Sequence, residues 1–310
     1  MKEYLPVSIK IPDRFFDEEV RSGYKVTEEV KKLWAVELDL LSEFDRVCRK
    51  HGIQYMACGG TLLGAIRHNG FIPWDDDVDI MMTYDNYVKF RNVAKTEFTY
   101  PYFYQDGYTD KGSIRGHGQL RNSETTAIRK NEFGKKFPFN QGVFIDIFPL
   151  DNVPDDENEK ISFMKENEKN RRRVIHISNI TYRYTRAVRS SMGKIKKSIF
   201  SLIHPVAMKL KLEEKYFQIY ETNLHKYNDI KTEKAGITCL VVLNDRCFWE
   251  TKDLCSDLIY VPFEFLQIPV PVNYENILNH HYGNWHEYVI GKSTHGDLFI
   301  DVNNSYKKYL

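Results

Sequence analysis

The residues whose types and spacing suggest chemistry lie together in one stretch, Trp74-Asp75-Asp76-Asp77-Val78-Asp79-Ile80-Met81-Met82. We expect a strand from Asp77 to Met82, in which alternate side chains share a face, so that Asp75, Asp77 and Asp79 line up. Because neighbouring carboxylates repel each other, such a row needs a compensating cation. Oxygen-only ligands favour Mg²⁺ or Mn²⁺. The stretch therefore predicts a divalent metal held by Asp77 and Asp79. A solvated acidic loop is the alternative, and the interleaved apolar residues argue against it.

A third carboxylate interrupts an apolar stretch further along the chain, Gly142-Val143-Phe144-Ile145-Asp146-Ile147-Phe148-Pro149. An isolated charge in such surroundings is costly to bury unless it is paired or bound to a metal. We therefore expect Asp146 to be a metal ligand or a general base toward an attacking hydroxyl. A strand-end residue that faces solvent is the alternative.

A glycine pair stands shortly before the acidic stretch, in Cys58-Gly59-Gly60-Thr61. Glycines let backbone N–H groups approach a phosphate, and the amino terminus of a helix favours its negative charge. We expect Gly59, Gly60 and Thr61 to form a phosphate-binding turn between a strand and a short helix. A tight turn without a ligand is the alternative. A strand, a Gly-Gly turn, a short helix and a strand with Asp-x-Asp together resemble the nucleotidyltransferase fold.

The elements that must position these residues can be predicted from periodicity and capping signals. The expected helices are Val26 to Lys50, Leu62 to about Arg67 and Tyr84 to Glu97, and the expected strands are 53–57, 77–82, 116–128 and 143–148. Long polar helices are expected between Asp155 and Lys234. We predict an α+β fold: a nucleotidyltransferase-like, mixed-sheet catalytic core (1–155), a basic helical insertion (156–235) and a carboxy-terminal part that returns to the core (236–310).

Composition restricts the class of protein. The chain has 310 residues, 42% of them hydrophobic, and a net charge of +1, which argues against disorder and against a nucleic-acid partner. Its five cysteines form no metal-binding or disulfide pattern. The amino terminus has no apolar signal region, and no apolar run is long enough to span a bilayer. We expect a cytoplasmic enzyme.

The stretch Leu62-Leu63-Gly64-Ala65-Ile66-Arg67-His68-Asn69-Gly70-Phe71-Ile72-Pro73-Trp74-Asp75-Asp76-Asp77-Val78-Asp79-Ile80 strongly resembles the LicD family. Further similarity lies at Leu120-Arg121-Asn122, at Phe144 to Pro149 and at Tyr282-Gly283-Asn284-Trp285. The resemblance covers residues 28–155 and 260–296. It departs from the family pattern at Asn284, where an acid is expected, and at the residues before His295, where prolines are expected. The family is similar to the nucleotidyltransferase fold and includes phosphocholine transferases and fukutin-type ribitol-phosphate transferases.

The resemblance implies transfer of an alcohol phosphate, most often phosphocholine, from a CDP-linked donor to a glycan hydroxyl, with release of CMP. The acceptor would be a cell-surface glycan such as lipopolysaccharide or teichoic acid, or its lipid-linked precursor. Asp77, Asp79 and Asp146 would hold the metal and carry the chemistry. Arg67 and Arg121 would clamp phosphates, because a guanidinium matches phosphate geometry. A surface ion pair is the alternative for each arginine. His68 and His295 are further candidates for substrate binding.

Other functions use similar residues. A nucleotidyltransferase would share the metal site but release pyrophosphate. A glycosyltransferase with Asp-x-Asp would normally have a longer nucleotide-binding region before the motif. A membrane-bound scaffold with an inactive site would not need Asp77, Asp79 and Asp146 together.

Two biased segments allow two interpretations each. The aromatic stretch Phe98 to Tyr108 would form either a cage for a quaternary ammonium, with Trp74 as another possible wall, or a packing face of a strand. From Arg171 to Leu212 there are eleven Lys or Arg residues and no acid. This stretch would either contact an anionic membrane or form a solvated helical surface paired with upstream acids, which are Glu157, Glu159, Glu166 and Glu168.

Overall fold

The fold consists of helices and strands arranged around a central mixed sheet. The computed structural model describes residues 5–240, 247–290 and 298–310. The helices are Glu28–Lys50 (α1), Gly59–His68 (α2), Tyr84–Glu97 (α3), Glu157–Ile180 (α4), Arg186–Ser191 (α5), Lys194–Lys209 (α6), Leu212–Leu224 (α7), Thr251–Leu254 (α8) and Tyr274–Tyr282 (α9). The strands are Glu19–Arg21 (β1), Tyr24–Val26 (β2), Met56–Ala57 (β3), Asp79–Thr83 (β4), Tyr102–Gln105 (β5), Gly118–Asn122 (β6), Thr126–Arg129 (β7), Val143–Asn152 (β8), Lys234–Gly236 (β9), Phe248–Glu250 (β10), Leu258–Phe263 (β11), Leu266–Pro271 (β12) and Leu298–Asp301 (β13).

A seven-stranded sheet forms the centre of the fold, and β8 is its longest strand. The order β10-β9-β8-β4-β3 runs across it, and β6 pairs with both β8 and β5. Strand β4 runs parallel to β8, whereas β6 and β9 run antiparallel to it. The mixture of parallel and antiparallel pairs confirms the predicted mixed-sheet α+β class.

Helix α1 covers this sheet with the apolar face that its periodicity predicts. Thr27 caps its amino terminus by accepting a hydrogen bond from the Val30 N–H. Leu38, Leu41 and Phe44 are at most 1% exposed. Full burial of each such side chain contributes about 1.5–3 kcal/mol, so this face anchors the helix.

The helical segment is inserted between two strands that are neighbours in the sheet. Helices α4 to α7 follow β8, and β9 then returns beside the end of β8, where Asn152 pairs with Ala235. The predicted long helices are therefore confirmed, and α3 has the predicted bounds. The division of the chain at 155 and 235 into separate domains stays a prediction. Within the described residues, no helix combines the length and the apolar composition needed to cross a bilayer.

Candidate active site

Asp79 and Asp146 lie side by side at the centre of the sheet. Asp79 is the first residue of β4 and pairs in parallel register with Asp146 of β8. Aligned residues of a parallel pair point to the same face, so both carboxylates leave the sheet on one side. The Asp146 N–H donates to the Val78 carbonyl at 2.9 Å, and the Asp79 N–H donates to the Thr61 hydroxyl at 2.8 Å. These backbone bonds fix the two positions relative to each other.

The Asp146 carboxylate is held from the neighbouring strand. Gln119 lies directly opposite it in β6 and donates from Nε2 to Asp146 Oδ1 at 2.6 Å. His117 Nε2 lies 3.1 Å from the same oxygen. Asp146 is only 3% exposed, which excludes the solvent-facing alternative. Sequence reasoning missed Gln119 and His117, because a predicted strand over 116–128 does not reveal its register with β8.

Asp75, Asp76 and Asp77 converge just before β4. One ligand oxygen from each lies within 4.8 Å of the others. Burial, followed by the nearby charge of Asp77, raises the pKa of Asp75 to about 8. The predicted row of acids along a strand is therefore wrong, since the strand begins only at Asp79. Alternate residues of a strand are spaced by roughly 6.6 Å, whereas the irregular backbone here lets three side chains meet at one point.

The carboxylates provide suitable ligands for a hard divalent cation. Every donor atom is an oxygen, and a cation would stabilise the ionised form of Asp75, whose pKa burial and then the Asp77 charge raise. The predicted ligands divide between two places, because Asp77 belongs to the converged group while Asp79 and Asp146 are neighbours in the sheet. These residues fit Mg²⁺ or Mn²⁺.

The glycine pair forms the first turn of α2 rather than a loop before it. Gly59 has φ of +52°, a conformation that favours glycine. A Cβ atom at Gly60 would collide with the Asp75 carboxylate, so the missing side chain lets that acid approach the helix. The Thr61 hydroxyl is buried and accepts the hydrogen bond from the Asp79 N–H. Thr61 therefore fixes the start of β4 relative to α2.

These residues line a cavity of about 640 Å³, which we call the carboxylate cavity. Its walls combine the acids and the glycine pair with aromatic residues from the carboxy-terminal part of the chain. The chief lining residues are Gly59, Gly60, Arg67, Trp74, Asp75, Asp76, Asp77, Asp79, Trp249, His281, Tyr282, Asn284 and Trp285. The lining residues from Trp249 to Trp285 are far from the acids in sequence, so the site is completed only in the folded chain. The motif Tyr282-Gly283-Asn284-Trp285 was the sequence signal for part of this wall.

The aromatic stretch Phe98 to Tyr108 does not belong to that wall. Its Tyr102–Gln105 segment is β5, and Tyr104 is 3% exposed against the core. The Tyr108 hydroxyl donates to Glu221 at 2.6 Å, on α7. The strand-packing interpretation of this stretch is therefore confirmed, while Trp74 does line the carboxylate cavity.

Arg67 links α2 to the carboxy-terminal wall. Its Nη1 donates to the carbonyl oxygens of Trp285 at 2.8 Å and Glu287 at 3.0 Å. Its Nε donates to His68 Nε2 at 3.0 Å. Burial and the nearby Arg67 charge lower the pKa of His68 to about 4, so the ring is neutral and accepts this bond. Arg67 therefore braces the wall of the cavity and also faces into it.

Arg121 lies away from the carboxylate cavity. It is 2% exposed, which excludes a surface ion pair. Its Nε donates to Gln105 Oε1 at 2.6 Å, its Nη1 to the Gly142 carbonyl at 2.5 Å, and its Nη2 to Gln119 Oε1. It therefore orients Gln119, which in turn holds Asp146. His295 lies outside the described residues.

Comparison with known proteins agrees with this geometry. The LicD/FKTN/FKRP nucleotidyltransferase domain matches residues 52–180. The lipopolysaccharide cholinephosphotransferase LicD of Haemophilus influenzae is 31% identical over 258 residues, which cover 80% of this chain and 88% of that protein. An uncharacterized protein of Rickettsia typhi is 35% identical over 88 residues, covering 28% of this chain and 26% of its own. One of Rickettsia prowazekii is 37% identical over 70 residues, covering 23% and 24%. With such similarity over most of its length, this chain belongs to the LicD family.

Proposed function

We propose that this protein is a metal-dependent phosphotransferase that moves an alcohol phosphate from a CDP-linked donor to a glycan hydroxyl and releases CMP. The observation that carries the proposal is the parallel pair of Asp79 and Asp146 beside the converged acids Asp75 to Asp77. The name of the Haemophilus influenzae relative supports choline phosphate as the alcohol phosphate and lipopolysaccharide as the acceptor.

The donor occupies the carboxylate cavity. Asp77 and Asp79 would hold Mg²⁺ or Mn²⁺, which when bound would neutralise charge on the donor diphosphate. Gly59 and Gly60 present backbone N–H groups of the first helical turn to a phosphate. The rings of Trp74, Tyr282 and Trp285 line the same cavity and suit a trimethylammonium group.

Asp146 acts as the general base. The acceptor hydroxyl loses its proton to the carboxylate as its oxygen bonds to the phosphorus that bears the alcohol. The bond between that phosphorus and the bridging oxygen breaks, and CMP leaves with the electron pair. Gln119 and His117 keep the Asp146 carboxylate in place during this step. His68 stays neutral beside the cavity and keeps Arg67 oriented.

Helix α6 positions the enzyme at the cytoplasmic face of an anionic membrane, where a lipid-linked acceptor is found. One face of α6 exposes large apolar side chains, among them Ile195 at 80% and Leu202 at 76%. Lys194, Lys196 and Lys197 lie at its start, and no ion pair involves them within the described part of the chain. Arg171 and Arg172 differ, because both pair with Glu168. Exposed apolar residues combined with unpaired lysines are typical of a helix that lies on a membrane surface.

The decisive test is the identity of the products. Incubation of the full chain with CDP-choline, Mg²⁺ and lipopolysaccharide should give CMP and a mass increase of the glycan equal to one phosphocholine. Ribitol, glycerol and ethanolamine donors tested in parallel would identify the alcohol. Release of pyrophosphate from CTP and phosphocholine, with no CMP in the first reaction, would instead establish the nucleotidyltransferase alternative.

A further inference from the structure

A second cavity, of about 480 Å³, is lined by Asp146. We call it the arginine cavity, because five guanidinium groups and two carboxylates of the described residues line it. The arginines are Arg115, Arg121, Arg129, Arg171 and Arg183, and the acids are Glu132 and Asp146. Among the residues that the structure describes, the lining therefore carries more positive than negative charge.

Two of the five arginines are already neutralised by neighbours. Arg171 pairs with Glu168 at 2.7 Å, and Arg183 pairs with Glu132 at 2.9 Å. The other three, Arg115, Arg121 and Arg129, make no ion pair within the described residues. In the described part of the chain, Arg115 donates from Nη1 to two neutral oxygens, the Ser113 hydroxyl at 3.0 Å and Gln105 Oε1 at 3.3 Å.

Burial makes the charges of Arg115 and Arg121 costly. Burial, with a smaller contribution from Arg129, lowers the pKa of Arg115 to about 10, and burial together with Arg115 lowers the pKa of Arg121 to about 9. A bound oxyanion would remove this cost, because guanidinium groups bond to phosphate and carboxylate through paired N–H donors. Arg115 and Arg129 supply guanidinium N–H groups to the cavity lining, whereas the Arg121 guanidinium already donates to Gln105, Gly142 and Gln119.

The two cavities are adjacent along the sheet. Asp79 lines the carboxylate cavity and Asp146 lines the arginine cavity, although the two residues are neighbours in register. Phe148 and Leu240 line both cavities. A hydroxyl that reaches Asp146 from the arginine cavity would thus lie next to a donor held in the carboxylate cavity.

We propose that the arginine cavity binds an oxyanion of the acceptor, so that the acceptor is a saccharide with a phosphate or carboxylate group near the reacting hydroxyl. The assignment of the bound molecule as the acceptor rests on the proposed function. The anion site itself does not depend on that function. The arginines hold the charged group, and the hydroxyl of the same molecule lies toward Asp146.

The test uses inorganic phosphate and the full chain in EDTA. Without metal, the carboxylate cavity repels phosphate, so calorimetric binding reports on other sites. The wild-type protein should bind phosphate saturably. Arg115→Gln and Arg129→Gln should each weaken that binding about ten- to hundredfold, as expected for a charge-assisted hydrogen bond. Arg129 is exposed, so its replacement should leave the fold intact by circular dichroism.

Arg172→Gln is the matched control, since Arg172 is exposed on α4, lies outside the cavity lining and pairs with Glu168. It removes the same charge and should leave phosphate binding unchanged. Wild-type protein that shows no saturable binding overturns the proposal. Equal binding by wild type, Arg115→Gln and Arg129→Gln overturns it too, because the anion then lies elsewhere.

Competition identifies the source of the anion. Glucose 6-phosphate that displaces phosphate indicates a phosphorylated acceptor, and glucuronate that does so indicates an acidic sugar, while glucose should displace nothing. If neither sugar anion competes, the saccharide assignment is overturned. With an active enzyme, Arg129→Gln should raise KM for the acceptor and leave KM for the donor unchanged. A protein that binds these anions but releases no CMP would contradict the proposed function and leave the anion site standing.

Discussion

At the scale of single residues, the proposed chemistry depends on the charge of Asp79. Asp79→Asn keeps the shape of the side chain and removes one negative charge beside Asp146. We expect Mn²⁺ affinity to fall at least tenfold and turnover to be abolished, while circular dichroism stays unchanged. Asp85→Asn is the control, because Asp85 is exposed on α3 and lines neither cavity. Normal Mn²⁺ binding by Asp79→Asn would remove Asp79 from the ligand set.

Asp146 is the proposed general base, and kcat is the quantity that tests this role. Asp146→Asn should lower kcat by about a hundred- to ten-thousandfold, the usual contribution of a general base. Donor affinity should change far less, because Asp146 lines the arginine cavity rather than the carboxylate cavity. A loss limited to donor binding, with kcat preserved, would make Asp146 a ligand and not a base.

At the scale of elements, α2 must pass very close to the loop that carries the acids. A Cβ atom at Gly64 would collide with the carbonyl oxygen of Gly70 and lie 3.2 Å from the backbone nitrogen of Ile72. Gly64→Ala should therefore lower the free energy of unfolding in urea by about 1–3 kcal/mol, as overpacking typically does. Gly193→Ala is the control, since a Cβ atom there meets nothing within 4 Å. Equal stability of the two variants would show that the loop can move away.

Helix α6 makes a separate prediction about membranes. Replacing Lys194, Lys196 and Lys197 with Gln should weaken binding to anionic vesicles, because each lysine near such a surface contributes about 1 kcal/mol. The difference should disappear at 1 M salt, where the Debye length is roughly 3 Å. Turnover on a short water-soluble acceptor should stay nearly constant.

The control for α6 is a variant in which three exposed lysines outside this helix are replaced with Gln. Gln at the exposed positions Lys252, Lys307 and Lys308 should leave vesicle binding close to that of the wild type. If the wild-type protein ignores anionic vesicles even at low salt, α6 is a solvated helix and the membrane proposal fails.

At the scale of the whole molecule, metal removal should separate activity from folding. A chelator should abolish turnover, and added Mg²⁺ or Mn²⁺ should restore it. The circular dichroism spectrum should not change, because the core between α1 and the sheet forms from apolar side chains such as Trp34, Phe44 and Ile145. Unfolding in EDTA would reveal a metal that the fold itself requires.

The sequence alone was enough to predict helices α1 and α3 and to single out the acids of this protein. The apolar periodicity of α1, its Thr27 cap and the bounds of α3 are local properties, so they can be predicted from neighbouring residues. The same holds for the position of Asp146 in an apolar strand, because burial of a charge is costly wherever the strand packs.

Only the tertiary structure decided how these parts meet. Strand register placed Asp79 beside Asp146 and Gln119 opposite it, and register depends on pairing between distant segments. The irregular backbone at Asp75 to Asp77 replaced the predicted strand, since a converged group of acids requires side chains that point to one place. The arginine cavity could not be predicted either, because its arginines come from two distant stretches of the chain, 115–129 and 171–183, that meet only after folding.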